Sequence, residues 1–535
     1  MAIELSNLTF TEQDDIVPQS GVEEIVNTGV ANTLAGNDEI TGTGESLQNI
    51  LFYGLRTVGI YNKSNGTINT DNGDDEITGY GNIGIYNESN GTINTGNGRD
   101  KITGYGSQTG SSKNNTIGVL NDGTINTDSG DDTISGYATG DFPGDVVNFG
   151  SINTGNGNDI IIGDGLSGGI SNGAGGTINT GNGDDSIIGT SSQDWGVYNG
   201  GYTDESDFPT INTGNGDDSI IGTTSDNSSA GIAVVYKGAI NTDNGKDSII
   251  GTGPISGIIC LEDGIIDTGD GDDIITGIGG GDGIAIGNFS GTNSSNGTIK
   301  TGNGNDIITG IGGILNYTLG TIDSGAGNDS IISEGNFTNR GNVFLGEGND
   351  SIAADTYFSG RALENLGFIG TGDGNDTITS TGVIYNEGVI ETGNGEDSII
   401  VDGGVDDLTG TTYGIYNNRG AINMGDGNDS IIANEGFQSG PNSSGAWFLG
   451  EGEDYIKGFG SGDFYGGNGN DTLELTPGTY TVGIWGEGGE SPIFTKGNQL
   501  MITSEFEKLI AGDTIYDFTS LTAGQIIVVF DIGGQ

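Results

Sequence analysis

Along most of the chain, single apolar residues alternate with polar or glycine positions in short groups. The groups follow a fixed order: G-[I/V]-x-N, then x-I-x-T, then G-x-G-x-D, then x-I-x-G. Period-two alternation bounded by turn residues predicts short strands whose central Ile faces inward and whose neighbours face outward. Residues 59–79 (GIYNKSNGTINTDNGDDEITG) and 84–104 (GIYNESNGTINTGNGRDKITG) are near copies, 25 residues apart. A unit this short cannot bury its apolar side alone, so copies must stack, Ile over Ile.

The aspartate ahead of each third strand marks the coils. It recurs 17 times, at Asp38, Asp75, Asp100, Asp132, Asp159, Asp185, Asp218, Asp247, Asp273, Asp306, Asp329, Asp350, Asp376, Asp397, Asp429, Asp454 and Asp471. The spacing runs from 17 to 37 residues, as expected of one coil plus loops of variable length. The pattern predicts an all-β fold, a right-handed parallel β-solenoid of the β-roll or β-helix type. Stacked at ~4.8 Å per coil, the coils would extend over roughly 80 Å. Three segments follow: an N-terminal cap over 1–30, repeats over 31–475, and a C-terminal cap over 476–535. In that last segment the repeats give way to aromatics and an apolar end, AGQIIVVFDIGGQ. Insertions such as 136–151 and 191–210 carry Phe142, Trp195 and Phe208, which depart from the repeat composition. Loops on one side of a solenoid are where partners bind, although surface insertions are also tolerated without function.

Composition narrows the chemistry. Gly is 109 of 535 residues while Pro is 7, which fits strands joined by tight turns. Formal charge is −60, from 74 acidic and 14 basic residues. Like charge then argues against nucleic acid as partner, and no apolar run is long enough for membrane insertion. His is absent, so imidazole catalysis and His-ligated metals are excluded. Cys260 stands alone in GIIC, where other coils carry GIYN, and reads as a buried strand position. The N-terminus, MAIELSNLTFTEQDD, has neither the basic nor the apolar region of a secretory signal peptide.

The turn itself points to a hard cation. Two glycines allow positive φ and bring main-chain carbonyl oxygens into the turn, and the Asp adds a carboxylate. Ca²⁺ takes 6–8 such oxygens, more than one turn can supply, so each ion would sit between neighbouring coils. Stacked carboxylates without a cation would repel at every step. The alternative is a metal-free scaffold of Gly/Asx turns. Asn62, Asn87, Asn121, Asn172, Asn199, Asn316 and Asn417 are expected to form such a structural ladder on the first strand.

Segments such as TGNGNDIIT and GGNGNDTLE resemble the RTX, or hemolysin-type, calcium-binding repeats, over roughly residues 33–475. The resemblance implies calcium ligands at Asp75, Asp100, Asp132, Asp159, Asp185, Asp218, Asp247, Asp273, Asp306, Asp329, Asp350, Asp376, Asp397, Asp429, Asp454 and Asp471, about one ion per pair of adjacent turns. The first Gly of the family pattern is usually Thr here, and the second becomes Asp71, Asp128 or Asp243 in three turns. One motif per coil implies one calcium column rather than the two of the family's roll. The first turn, LAGNDEI, lacks the early glycines and is expected to be weak or empty. The family is exported by type I secretion, and residues from about 500 look like C-terminal segments of cyanobacterial proteins with such repeats. The resemblance therefore implies a secreted protein that folds on extracellular Ca²⁺. It would be a non-enzymatic component of a cell surface, surface layer, fibril or adhesion system, with self-association or cell-surface polysaccharide as partners. A polysaccharide-acting enzyme on a β-helix is the alternative; its carboxylates would have to come from outside the repeated turns.

Overall fold

The computed structural model describes residues 2–530, apart from 19–22, 45–46, 51–53, 108–115, 141–143, 202–207, 288–295, 357–359, 441–444 and 487–490. Phe142, the middle of the 191–210 insertion and the last five residues therefore lie outside the described residues. The fold is an all-β parallel solenoid. Its only helices among the described residues are the single 3₁₀ turns Leu5–Asn7 and Phe518–Ser520. Contacts divide the chain into two compact units, Met1–Ala285 with Ser295–Gly302, and Ile286–Ser294 with Asn303–Gln535.

In the first unit each coil contributes one strand to each of three parallel sheets, and the register is strict. In the first sheet Ile85 pairs with Ile60 and Val119. In the second, Ile93 pairs with Ile68 and Ile125. In the third, Ile102 pairs with Ile77 and Ile134. These residues are all 0% exposed, so three apolar columns meet on the axis and form the core. Register cannot slip, because a one-residue shift would turn every Ile outward. The second strand, T-I-N, buries its Ile and turns its Thr and Asn partly outward. The Thr that follows it is buried, as at Thr70, Thr95 and Thr127. Glycine within the third strand is a packing requirement: a Cβ on Gly79 would lie 2.1 Å from the carbonyl oxygen of Gly84.

Strands within the first thirty residues already pair in register. Ile3–Glu4 lies parallel to Ile25–Asn27, and Ile16–Val17 lies parallel to Glu39–Thr43.

The second unit repeats the plan over Ile314, Phe337, Leu363 and Ile384 in its first sheet and Ile308, Ile331, Ile352 and Ile378 in its third. Toward its end aromatic residues replace Ile in the core. Trp447 and Phe464 stack with centroids 4.3 Å apart, and Phe437 meets both edge-on. Past Leu475, Gln499–Ser504 and Lys508–Ala511 still add in parallel. Antiparallel strands Gly478–Trp485, Ser491–Lys496, Thr514–Asp517 and Ile526–Val529 then join them. Antiparallel pairing takes up edge groups that another parallel coil would otherwise use. One inserted hairpin, Gly404–Asp406 with Thr411–Tyr413, is tied down by Arg361. The guanidinium donates to both carboxylate oxygens of Asp406 (3.3 and 3.0 Å) and to Glu364 (2.8 Å), and it lies 3.6 Å over the ring of Tyr385.

Candidate metal centre

In each turn the two glycines stand at positive φ, as at Gly96 (92°) and Gly98 (147°). Asp71, Asp128 and Asp243 replace the first of them at φ 62–63°, a left-handed conformation that Asp tolerates. Close stacking adds a second demand for glycine. A Cβ on Gly98 would sit 1.6 Å from the carbonyl oxygen of Gly73, and one on Gly130 would sit 1.5 Å from that of Gly98. These carbonyls point along the stacking direction at the next coil, rather than converging within their own turn as the sequence reading pictured.

All seventeen repeat aspartates are buried, at 0–2% exposure. Each main-chain N–H donates to the Oδ1 of the next coil's aspartate. In the first unit the ladder runs from Asp15 through Asp38, Asp75, Asp100, Asp132, Asp159, Asp185, Asp218 and Asp247 to Asp273, with bonds of 2.7–2.9 Å. In the second it runs from Asp306 through Asp329, Asp350, Asp376, Asp397, Asp429 and Asp454 to Asp471, at 2.7–3.0 Å. Its last N–H, that of Asp471, goes to Glu507 Oε2 at 2.8 Å. Asp15 and Glu507 thus end the two ladders, and neither stands in the glycine motif. The LAGNDEI turn, expected to be weak, is built like the others: Leu34 takes the left-handed position at φ 69°, and Asp38 sits in the same column.

The second carboxylate oxygen is different. Oδ2 of Asp38, Asp75, Asp100, Asp132, Asp159, Asp185, Asp218 and Asp247 is buried and receives no hydrogen bond, and the same holds at Asp329, Asp350, Asp376, Asp397, Asp429, Asp454 and Asp471. At Asp38, Asp100 and Asp218 the hydroxyl of Thr33, Thr95 or Thr213, five residues upstream, has no other partner and lies beside the carboxyl. At Asp75 and Asp159 the matching Thr directs its proton at a main-chain carbonyl instead. Thr70 Oγ1 donates to Thr95 O (3.2 Å), and Thr154 Oγ1 donates to Thr180 O (3.2 Å). Burial therefore pushes the carboxyls up, to about 7 at Asp75, Asp132, Asp185, Asp247, Asp350 and Asp429 and to about 6 at Asp100, Asp397, Asp454 and Asp471. The ladder N–H and, where one is present, the upstream hydroxyl oppose the rise; neighbouring aspartates add to it at Asp75, Asp132 and Asp185.

A column of buried carboxylate oxygens with no donor is a poor place for negative charge and a good place for a hard cation. Among the described residues no three His, Cys, Asp or Glu side chains converge on one point. Any cation shell here must therefore be completed by main-chain carbonyls or water.

The outer position-five residues form an exposed ladder, as from Arg99 N to Asp74 Oδ1 (2.9 Å) and from Asp217 N to Asp184 Oδ1 (2.9 Å). The asparagine ladder on the first strand is present and fully buried. It links Asn27, Asn62, Asn87, Asn121, Asn148, Asn172 and Asn199 through Nδ2-to-Oδ1 bonds of 2.8–2.9 Å. In the second unit it links Asn316, Asn339, Asn365, Asn386 and Asn417. Asn27, Asn148, Asn339, Asn365 and Asn386 lack the Gly of the G-[I/V]-x-N pattern; the signal that finds them is an Asn ending most first strands, with Val234, Cys260 and Ser439 taking the place in other coils. Cys260 is buried, with its thiol directed at Thr298 O (3.3 Å).

No family model and no curated protein matches this chain. One solved structure with similarity is a hyperactive, Ca²⁺-dependent, β-helical antifreeze protein from an Antarctic bacterium. It is 17% identical, covers 74% of this chain and 91% of its own, and superposes with a TM-score of 0.38. A likeness that distant does not bear on the site.

Proposed function

We propose that this chain is a calcium-stabilised structural solenoid that works outside the cell. The observation that supports this reading is the column of buried aspartate oxygens left without donors, set in a chain of charge −60. The residues that would hold the ions are the aspartates from Asp75 to Asp471 singled out in the sequence, with Asp38 added by its identical placement. Bound calcium would supply positive charge where the fold concentrates negative charge. The chain's own part is to fix Oδ1 with a main-chain N–H, which leaves Oδ2 to face the cation. Extracellular calcium modules bind at about 10⁻⁴–10⁻³ M, so folding would follow export. This fits the RTX-type resemblance of the repeats. The ladder engages the carboxylates of the repeated turns, so a glycosidase would need a separate acidic pair outside them; a surface-layer, fibril or adhesion role needs none.

The test is far-UV circular dichroism of the full chain in EGTA, titrated with Ca²⁺ and separately with Mg²⁺. A rise in β signal at sub-millimolar to millimolar Ca²⁺, not matched by Mg²⁺, is the expected result. A complete β spectrum in EGTA at pH 8 would overturn the calcium-coupled reading.

A further inference from the structure

The outer face of the first sheet carries its own apolar rows. Tyr61, Tyr86, Leu120, Val147, Ser171 and Tyr198 follow one another in strand register. Three residues earlier in the same coils stand Val58, Ile83, Ile117, Gly144, Gly168 and Trp195. Over the first coils the two rows pack into a small cluster of Val58, Tyr61, Ile83, Tyr86, Ile117, Leu120 and Val147. In the coils of Gly144, Gly168 and Ser171 the large side chains give out, and a pocket of about 220 Å³ opens there. Trp195 and Tyr198 form its far wall, with ring centroids 6.3 Å apart and tilted by 36°. Asp194 lines it as well, and its carboxylate is held by the N–H of Trp195 (2.9 Å to Oδ1).

We propose that this pocket binds a methylated ammonium group, as carried by choline and related molecules. Aromatic faces attract a soft organic cation, and the apolar lining suits its methyl groups. Asp194 supplies the negative group, and the strongly acidic chain adds to the potential; burial and the nearby Asp226 carboxylate push the Asp194 carboxyl up, a penalty that a bound cation would relieve. A sugar fits less well. Among the lining residues only Ser171, Asp194, Trp195 and Tyr198 carry polar side-chain groups, few for the hydroxyls of a pyranose. A purely apolar guest would leave the carboxylate without a counter-charge.

The experiment uses the full chain in saturating calcium, with choline chloride as probe and 3,3-dimethyl-1-butanol as its uncharged isostere, read by saturation-transfer NMR. Saturable choline binding is expected, with the isostere weaker by about tenfold or more. Ser171→Leu places a side chain like that of Leu120 in the gap and leaves net charge unchanged, so it should abolish choline binding. That variant separates the pocket from general attraction of cations to an acidic surface. Should it fail to fold, Trp195→Ala serves instead and should weaken choline by about tenfold. Equal affinity for the isostere, binding that survives the folded variant, or no saturable binding overturns the proposal.

Discussion

The aspartate column makes a strong prediction about acid. Each carboxyl raised to about 7, such as Asp75, Asp132 or Asp185, would sit at 3.8 in the unfolded chain. Its charged form is penalised in the fold, so stability is lost as pH rises from 3.8 through about 7 and returns as pH falls again. A rise of this size corresponds to roughly 4 kcal/mol at 1.36 kcal/mol per pH unit; screening by water at the turn reduces it to about 1–2 kcal/mol per coil. Summed over the four carboxyls of the first unit raised to about 7, Asp75, Asp132, Asp185 and Asp247, that is roughly 4–8 kcal/mol, comparable with the whole stability of a typical domain. Without calcium the chain at pH 8 should therefore be largely unfolded. Lowering pH to 5.5 in EGTA, still above the pI of 4.1, should recover β structure with no metal at all. Protons then compete with calcium, and the calcium midpoint should move to higher concentration as pH falls. Asp185→Asn isolates one step: its amide keeps the Oδ1 acceptor for Asp159 N–H and places a donor where Oδ2 has none. In EGTA near pH 7 the variant should unfold at higher urea, and in calcium at lower urea, than the parent. Circular dichroism during urea titration reads both. A parent chain whose stability in EGTA is flat between pH 8 and 5.5, or an Asn variant that weakens the fold in EGTA, would refute the reasoning.

Three further outcomes are expected. Gly98→Ala forces a Cβ to within 1.6 Å of Gly73 O, a main-chain atom, and should cost at least about 2 kcal/mol, seen as faster amide exchange in the flanking coils. Asn121→Ala removes the acceptor for Asn87 Nδ2 and the donors to Asn148 Oδ1 and Ser151 O; a loss of about 2–4 kcal/mol in urea unfolding is expected, with Asn121→Asp no better because it cannot donate. Arg361→Ala leaves Asp406 buried without its cation, so about 3–5 kcal/mol should be lost locally and protease should cut the 404–413 hairpin first.

The repeat, the all-β class and the inward Ile of each strand were legible in the sequence, because period-two alternation and turn glycines are local signals. The sixteen candidate aspartates were legible for the same reason: each sits at a fixed offset from its turn. What each carboxylate does was decided only by stacking. Whether Oδ1 meets an N–H, whether Oδ2 meets anything, and where the Thr70 proton goes all depend on the coil above or below, 17 to 37 residues away. Asp15 and Glu507 show the same limit, since only tertiary register brings residues outside the motif to the ends of the ladders. The gap in front of Trp195 is likewise a property of neighbouring coils: Gly144, Gly168 and Ser171 leave space because stacking puts them side by side, where Val58, Ile83 and Leu120 fill the matching places in the first coils. A strand's own residues set which way its side chains point, and the contacts those side chains then make are set by strands far away in sequence.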